Sequence, residues 1–565
     1  MTAVDLDCLF VHTPKAHNHY LPFGDFFNIT YMPMGLPAIA RQLKDRGYRA
    51  EVVHLGVEWL EDPQFNIAQD TDGMNIRAIG LSLYWHYQSY DAIEVARALK
   101  AAHPNAFVFL GGLTAGYFAS EIVENHPFID AVLRGHAEGS AGVLVEQLKS
   151  GGDLGQVPGM VHRLDDGTVV DNDRLSLSTA RGHAVGLDDL HFADLSVMRH
   201  PETYAKSFGF PLAYGREFSA EENRSMLSMG RAFFPLFIGR GCPWMCTFCG
   251  GNRDTLRRVN GTNKLQWRSP DRVVDDIRQA MEFGYKTMAL CFDPTPTKDT
   301  YYRTLFEKIR QARLDVDFYF ECWGLPTLEF IHDFRKTFPS PESYLALSPD
   351  TGNEAIRKRN KQPFYTNDAL FTALNRLEEH EVTFDVFYTM ALPGEVLSSA
   401  RDTQDQINGI AAKYQRARRL MTWTVQLEPG SAQYERPEDF DMITDRHCFD
   451  DFYRAHGGQR ADTYSSLGFK IANYFGDARD EGGIQEFERH LQHLKCMEFC
   501  FLGRDPRFWN SPAQGREHCF ERRKLLAERR GTALPQRAIG DGFDYMDAIE
   551  EEKRLRPKQE RHQWV

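Results

Sequence analysis

Residues 240–251 read RGCPWMCTFCGG, and this stretch decides how the whole chain is interpreted. Its cysteines, Cys242, Cys246 and Cys249, fall within eight residues, whereas the other seven of the ten cysteines are dispersed. An apolar run at 235–240, PLFIGR, leads directly into this stretch. The run predicts a strand, so the cysteines are expected on the loop at its end. Such a tight cluster favours a metal or redox site over disulfide bonds.

The spacing of these cysteines allows more than one kind of site. Three thiolates can bind three irons of a four-iron cluster and leave the fourth iron open, and thiolates also suit zinc. A structural zinc site needs four protein ligands, and no second CxxC or HxxxH motif lies nearby. A redox pair of Cys246 and Cys249 would leave Cys242 unexplained. An iron–sulfur cluster is therefore the favoured interpretation.

The sequence that follows alternates between strand and helix patterns. Parallel strands joined by helices in this way predict a (β/α)6 partial barrel, with its site at the carboxyl ends of the strands. The six predicted strands cover residues 235–240, 287–292, 317–322, 344–348, 383–390 and 421–426.

The first 150 or so residues carry a similar alternation and predict a doubly wound, Rossmann-like parallel sheet. Its predicted strands cover residues 4–11, 49–55, 78–83, 106–110 and 129–133, and a hairpin is predicted at 151–171. We therefore expect an α/β protein with a first domain at 1–175, a linker at 176–232, the barrel at 233–437 and a mostly helical region at 438–565.

Composition and charge exclude several classes of protein. The 565 residues are 42% hydrophobic and 26% charged, which is typical of a globular chain with several domains. The net charge of −13 lacks the basic footprint of a nucleic-acid-binding protein. No run approaches the ~20 apolar residues that cross a bilayer, and the N-terminus does not resemble a signal peptide. We expect a cytoplasmic location without a nucleic-acid partner or a membrane span.

The CxxxCxxC motif, with Phe248 before its last cysteine and a partial barrel behind it, resembles the radical S-adenosylmethionine (SAM) superfamily. The resemblance implies a [4Fe–4S] cluster on Cys242, Cys246 and Cys249, whose open iron is chelated by SAM. It also implies SAM contacts at Phe248, Gly250, Gly251, Asp293 after the second strand, Ser348, Asp350 and Arg357 in the fourth-strand segment, and Gly394 after the fifth strand.

A doubly wound domain ahead of this core is similar to the cobalamin (B12)-binding radical SAM enzymes, the class B methylase-like group. The resemblance implies cobalamin at the carboxyl ends of the first sheet's strands. It implies contacts from Ser82, Gly111, Gly112, Gly135 and Glu138. Tyr84, with its aromatic neighbours Trp85 and Tyr87, would line the corrin or form a packed loop.

One motif of some cobalamin domains is missing. The loop at 12–20 lacks the D-x-H-x-x-G pattern whose histidine binds cobalt in proteins of the methionine-synthase kind. The lower face of cobalt would then lack a histidine ligand or have an unusual one. His86 could approach the cobalt, and a hydrogen-bonded loop histidine is the plainer alternative.

The resemblance implies methylation of a carbon centre of a small-molecule or natural-product substrate, through methylcobalamin and a 5′-deoxyadenosyl radical. Oxidation, cyclisation or rearrangement with the same cofactors is the alternative, and a regulator without turnover is disfavoured by the intact cysteine motif. The substrate, a small molecule, lipid or peptide, is not readable, and neither are catalytic side chains. An electron donor such as flavodoxin or ferredoxin is expected.

Four other cysteines invite a structural interpretation. Cys291 and Cys322 lie on predicted barrel strands and are expected to be buried apolar fillers. Cys496 and Cys500 are four residues apart on a predicted helix, where core packing is expected.

Overall fold

The computed structural model describes residues 5–14, 32–62, 64–172, 185–206, 232–294, 299–390, 392–395, 397–440, 442–457 and 470–471. Within these residues, a seven-stranded sheet precedes a six-stranded parallel sheet. The expected α/β class, a doubly wound domain followed by a partial barrel, is therefore confirmed. No helix of the described residues is long and apolar enough to cross a membrane.

The first sheet has the strand order β2-β1-β3-β4-β5-β6-β7. Its strands are β1 (Cys8–His12), β2 (Ala50–His54), β3 (Ala78–Ser82), β4 (Phe107–Gly111), β5 (Ala131–Leu133), β6 (Met160–Arg163) and β7 (Val169–Asp171). Strands β1 to β5 are parallel, as predicted. The predicted hairpin forms β6 and β7, and it also extends the sheet because β6 pairs antiparallel with β5.

Helices cover both faces of this sheet because each carries an apolar stripe. In the helix after β3, Ile93, Ala96 and Leu99 are fully buried at helical spacing. The helices are α1 (Gly35–Asp45), α2 (Leu55–Glu61), α3 (Ile67–Asp70), α4 (Ser89–Ala102), α5 (Leu113–Tyr117), α6 (Ala119–Asn125) and α7 (Ala137–Ser150). The described part of the linker holds short 3-10 turns and α8 (Pro201–Lys206).

The second sheet contains its six strands in sequence order, and all neighbours are parallel. After β8 (Phe233–Pro235), a short antiparallel pair, β9 (Gly239–Arg240) and β10 (Gln266–Trp267), flanks the cysteine loop. The other five strands are β11 (Thr287–Leu290), β12 (Asp317–Cys322), β13 (Tyr344–Asp350), β14 (Thr383–Met390) and β15 (Ala417–Thr424). Their helices are α9 (Arg253–Asn260), α10 (Pro270–Glu282), α11 (Asp299–Gln311), α12 (Leu328–Thr337), α13 (Glu354–Asn360), α14 (Asn367–Glu379) and α15 (Leu397–Lys413).

All six predicted strands are present, but the bounds of the first and last differ from the prediction. The first ends at Pro235, before most of the predicted run at 235–240. The last begins at Ala417, four residues before the predicted start. The start of this strand is basic in sequence. Arg418 is nonetheless buried, because its guanidinium binds Asp385 of β14 at 2.6 Å. An apolar pattern cannot reveal a strand whose buried side chain is an ion-paired arginine.

The chain beyond the barrel returns to the first domain. After α16 (Ala432–Glu435), β16 (Met442–Ile443) pairs with β17 (Lys470–Ile471), and α17 (Phe449–Gly457) lies between them in sequence. Tyr453 of α17 stacks on Tyr90 at 5.3 Å and donates a hydrogen bond to Glu94 at 2.7 Å. The helices predicted at 486–496 and 512–530, with Cys496 and Cys500, lie outside the described residues. The domain bounds at 175, 232 and 437 stay predictions.

Candidate functional site

The cysteine loop places three thiols within electrostatic reach of one another. Burial raises the pKa of Cys242, Cys246 and Cys249, and the other two thiols raise that of Cys249 further. In the part of the chain that the structure describes, no group of three or more His, Cys, Asp or Glu side chains is arranged to hold a metal ion. The fit to a [4Fe–4S] cluster therefore rests on three interacting soft donors on one loop.

Backbone groups already point at two of these sulfur atoms. The N–H of Gln362 donates to Cys246 Sγ at 3.3 Å, and the N–H of Trp244 donates to Cys242 Sγ at 3.4 Å. Hydrogen bonds to cluster sulfurs raise the reduction potential of iron–sulfur clusters by stabilising negative charge. The loop thus carries donors suited to thiolates as well as the thiols themselves.

Asn252, which the sequence analysis did not single out, ties the cysteine loop to the end of the barrel. Its amide nitrogen donates to the carbonyl of Cys249 at 2.7 Å and to that of Gly430 at 2.9 Å. Its oxygen accepts from the N–H groups of Asp254 and Thr255 and so caps α9. An Asn directly before a helical pattern was the available signal, although its partner at 430 is invisible in sequence.

The two glycines after the last cysteine have different roles. A Cβ on Gly250 would lie 2.8 Å from the carbonyl oxygen of Pro429 and 2.9 Å from Glu428 Oε2, so close packing requires glycine there. A Cβ on Gly251 would meet only Cys249 Sγ, at 3.8 Å. Gly251 therefore leaves room beside the thiol, where the resemblance expects the SAM amino group.

The two predicted acidic contacts of the barrel are both held by neighbours. Asp293 is buried and accepts from Tyr302 Oη at 3.1 Å and from the N–H of Trp323 at 3.2 Å. Asp350 has a φ of +62°, pairs with Lys361 Nζ at 2.6 Å and accepts from Thr389 Oγ1 at 2.8 Å. Both carboxyl groups are fixed at the carboxyl ends of strands, where a ligand of the barrel would bind.

The remaining predicted SAM contacts occupy three different environments. Ser348 is half-buried on β13, and Phe248 packs partly buried against the barrel core. Gly394 has a φ of +83°, which favours glycine. Arg357 is fully buried, and its guanidinium donates to the carbonyls of Pro349, Tyr365 and Thr351 and to Asn367 Oδ1. It supports the backbone around Asp350 and does not face the cleft.

At the first sheet, the loops after β3 and β4 interlock where cobalamin is expected. Ser82 Oγ lies 2.7 Å from Nδ1 of His12. Gly112 has a φ of +113°, and a Cβ there would lie 2.6 Å from the carbonyl oxygen of Leu83. A Cβ on Gly111 would meet only the carbonyl of Leu133, at 3.8 Å. This edge therefore presents backbone and small side chains.

The loop after β5 serves the contact between the two domains. Gly135 has a φ of +76°, and Glu138 pairs with Arg240 Nη1 at 3.1 Å, with both side chains at least 85% buried. Arg240 immediately precedes the cysteine loop and also donates to Gln266 Oε1 at 2.8 Å. Glu138 joins the first domain to the barrel through this pair, which could not be read from sequence, and its contact with cobalamin stays a prediction.

The edge of the first sheet faces the cysteine loop across a cleft. Burial raises the pKa of Tyr84 to about 12, and Cys249 and Glu428 contribute in the same direction. Tyr84 is nonetheless 49% exposed, so it lines the cleft and is not packed in a core. Burial also raises the pKa of Glu428 to about 7. Loops of the first sheet and of the barrel thus enclose one space.

His86 lies on the rim of the same space. Its Nδ1 lies 3.1 Å from His456 Nε2 of α17, and its Nε2 lies 4.0 Å from Glu428 Oε1. The hydrogen-bonded loop histidine, the plainer of the two alternatives, is what the structure contains. His456 was not predicted, because no motif connects it with His86, which lies 370 residues earlier in the chain.

Family models match two separate stretches of the chain. The model of the radical SAM superfamily matches residues 236–407, and that of the B12 binding domain matches residues 28–145. A radical SAM domain implies a [4Fe–4S] cluster and SAM, and a B12-binding domain implies cobalamin. The cofactors expected from the sequence thus agree with the domains found.

Curated relatives match parts of the chain. A hopanoid C-3 methylase from Methylococcus capsulatus is 25% identical over 253 residues, 45% of this chain and 41% of the relative. An uncharacterized methyltransferase from Pyrococcus horikoshii is 23% identical over 228 residues, 40% of this chain and 42% of the relative. The chain spans about two fifths of the length of these relatives.

Solved structures share the fold over most of the chain. The radical SAM methyltransferase TsrM from Kitasatospora setae, with cobalamin and a [4Fe–4S] cluster bound, has a TM-score of 0.58 at 14% identity, covering 86% of this chain and 88% of TsrM. The cobalamin-dependent radical SAM enzyme OxsB has a TM-score of 0.52 at 12% identity, covering 98% and 82%. These likenesses show the shared fold, and the family models place a B12 binding domain at residues 28–145 and a radical SAM domain at residues 236–407 of this chain.

Proposed function

We propose that this chain is a cobalamin-dependent radical SAM methyltransferase that methylates a carbon centre of its substrate. The observation that carries the proposal is the cleft in which Tyr84, after β3 of the B12-binding domain, faces Cys249 and Glu428 of the radical SAM domain. Methyl transfer needs both cofactors at one substrate, and this arrangement brings their two sites together. The names of the curated relatives and of TsrM point to the same reaction class.

The residues of the chain bind and position, and the cofactors supply the reactive groups. When bound, the cluster and SAM provide one-electron cleavage that activates a substrate carbon, and cobalamin provides the methyl group. Cys242, Cys246 and Cys249 would hold the cluster, and Gly251 would leave room for SAM beside it. Gly111 would leave room for the corrin beside the backbone, and Gly112 lets the loop after β4 pack against Leu83.

The enclosed setting of the cleft suits reactive intermediates. Burial raises the pKa of both Tyr84 and Glu428, and the Glu138–Arg240 pair joins the two domains beside the cysteine loop. Exclusion of water protects a carbon radical from side reactions. We also propose that a small electron-transfer protein of the flavodoxin or ferredoxin kind supplies the electron, and that the substrate is a small molecule.

The test begins with anaerobically purified protein, expressed with cobalamin supplied. We expect about four irons and one corrinoid per chain. With reductant, SAM and an accepted substrate, we expect 5′-deoxyadenosine, S-adenosylhomocysteine and a product heavier by one CH2 unit. A product without added mass would replace methylation by oxidation, cyclisation or rearrangement. Four irons without corrinoid would overturn the cobalamin-dependent reaction.

A further inference from the structure

The interior of the partial barrel contains a carboxyl group that the proposed reaction has not used. Glu321 of β12 is paired with Ala346 of β13, and Leu290 of β11 is paired with Phe320, which places Cys291 beside Glu321. Phe320 faces outward, because its ring contacts that of Tyr302 in α11 at 4.9 Å. Since side chains alternate along a strand, Cys291 and Glu321 face the lumen.

Aromatic rings and an ion pair close the lumen one level below, toward the start of the strands. The ring of Tyr319 lies 6.0 Å from that of Phe233 and 4.9 Å from that of Tyr344. The guanidinium of Arg418 lies 3.2 Å from the centroid of Tyr344 and is paired with Asp385 at 2.6 Å. The lumen therefore has a closed floor whose charges compensate each other.

Above this floor, Cys291 shows that the lumen holds a cavity. The Cys291 side chain is exposed and that of Glu321 is half-buried, although the strand register turns both toward the lumen. The lumen is therefore open at this level. The expectation that Cys291 is a buried filler is therefore wrong, whereas the same expectation for Cys322, which is 3% exposed, is confirmed.

Glu321 presents an acceptor to this cavity without a close cation. Burial raises its pKa, and hydrogen bonds from Cys291 and Tyr319 act in the opposite direction. Lys361 is the cation that lowers the pKa of Glu321, and its ammonium is paired with Asp350 at 2.6 Å. Within the described residues, Glu321 forms no ion pair. A carboxylate has about four lone-pair sites, so two neutral donors leave capacity for a ligand.

We propose that Glu321 binds a hydrogen-bond-donating group of the substrate, an ammonium or a hydroxyl, in the lumen of the barrel. The inference rests on the proposed function, because it assumes that the substrate enters between the two domains. The reacting carbon would lie at the cleft near Cys249, and the donor group would extend toward the floor. A substrate with a carboxylate or phosphate at that end is excluded by charge repulsion.

Cys291 provides a reporter that does not depend on turnover. The reconstituted holoenzyme is treated anaerobically with iodoacetamide at alkaline pH, because burial raises the pKa of the Cys291 thiol and only the thiolate reacts. Alkylation of the Cys291 peptide is followed by mass spectrometry. Hexylammonium, hexanol and hexanoate are added as probes at equal concentration. We expect hexylammonium, hexanol or both to slow alkylation at least fivefold, and hexanoate to leave it unchanged. Protection by hexylammonium alone identifies an ammonium site, and protection by hexanol alone a hydroxyl site.

Variants of Glu321 separate recognition from simple filling of the cavity. Glu321→Gln removes the charge and keeps an acceptor, so protection by hexylammonium should be lost while that by hexanol persists. Glu321→Leu should abolish both, and the matched control Glu329→Gln, an exposed glutamate of α12, should change neither. Protection is expressed relative to each variant's own rate without probe, because the charge of Glu321 also slows the thiol.

Several outcomes would overturn the lumen site. They are equal protection by hexanoate, no protection by any probe, an unreactive Cys291, or protection that survives in Glu321→Leu. Iron and corrinoid are counted in the same samples. Loss of either in the unmodified chain would contradict the proposed function, whereas full cofactor content with one of these results contradicts the lumen site alone. Should Glu321→Leu fail to fold, Glu321→Gln still decides.

Discussion

The ligand edges of the two sheets are built in different ways. At the first sheet, backbone groups join the loops: the N–H of Leu83 donates to the carbonyl of Gly111 at 2.7 Å, and that of Ala115 donates to Leu83 at 3.2 Å. At the barrel, side-chain amides do this work, with Asn252 holding Cys249 and Gln362 Oε1 accepting from the N–H of Met245 at 3.0 Å. The loops at the first edge therefore pack closely because Gly111 and Gly112 have no side chains. The loops at the barrel edge are held by the side chains of Asn252 and Gln362.

The largest effect is expected from removing a cluster ligand. Cys246→Ala should reduce iron from about four per chain to less than one and lower SAM cleavage at least ~100-fold, because the other two thiols cannot hold the cluster. Corrinoid should remain, since the first edge is built separately. Cys448→Ala, outside the cysteine loop, is the control and should keep its iron. Loss of corrinoid in Cys246→Ala would show that the two edges are one cooperative unit.

Next in size is the effect of adding a methyl group at the first edge. Gly112→Ala forces a positive φ on alanine and drives Cβ against the Leu83 carbonyl, which should cost about 2–4 kcal/mol in the free energy of unfolding. Corrinoid content should fall while iron is retained. Gly111→Ala is a matched control and should cost less than about 1 kcal/mol, since its Cβ has room. Equal effects of the two substitutions would contradict the steric argument.

At the barrel edge, loss of the Asn252 amide should weaken the binding of the cluster. Asn252→Ala removes a helix cap and leaves two carbonyls without this donor, for a cost of about 2–3 kcal/mol by chemical denaturation. Iron should also be lost faster to a chelator, because Cys249 is no longer held. Asn66→Ala removes the cap of α3 in the first domain, so it should cost about 1 kcal/mol and leave iron release unchanged. Unaltered iron release in Asn252→Ala would mean that Asn252 caps α9 but does not help to hold the cluster.

The smallest effect concerns the contact between the domains. A double-mutant cycle of Glu138→Gln and Arg240→Met should give a coupling energy of about 1–2 kcal/mol, because both groups are largely buried. Arg258 and Glu435 form a half-exposed pair at 3.0 Å, and Glu435→Gln with Arg258→Met should couple by less than about 0.5 kcal/mol. Similar values for both pairs would mean that water reaches Arg240 in solution.

Local sequence patterns were sufficient to predict the fold, but they did not predict contacts between residues that are distant in sequence. Apolar periodicity located ten of the eleven parallel strands and overlapped the first barrel strand only at Pro235, and the cysteine spacing located the cluster loop. The partners of that loop are distant in sequence: Arg240 and Glu138 are 102 residues apart, and Asn252 and Gly430 are 178 residues apart. Nothing in one sequence specifies such pairs, because they arise from how the loops of separate domains meet.

For site residues that were assigned by resemblance, the residue type determined how well the assigned role agreed with the structure. A glycine at a motif position fits whether it faces a ligand or a neighbouring loop, as Gly251 and Gly250 illustrate. An arginine has five donors that burial must satisfy, and those of Arg357 are engaged by backbone carbonyls. Polar side chains are therefore the least predictable part of the candidate site.

The return of α17 to the first domain has a consequence for how the chain is made. The surface that receives α17 includes Tyr90 and Phe118, and it is complete once the first domain has been synthesised. Its covering helix follows roughly 280 residues later, which at 5–20 residues per second is a delay of about 15–60 s. During this interval Tyr90 and Phe118 lack their partners Tyr453 and Phe449, so the first domain reaches its final packing only after the barrel has been synthesised.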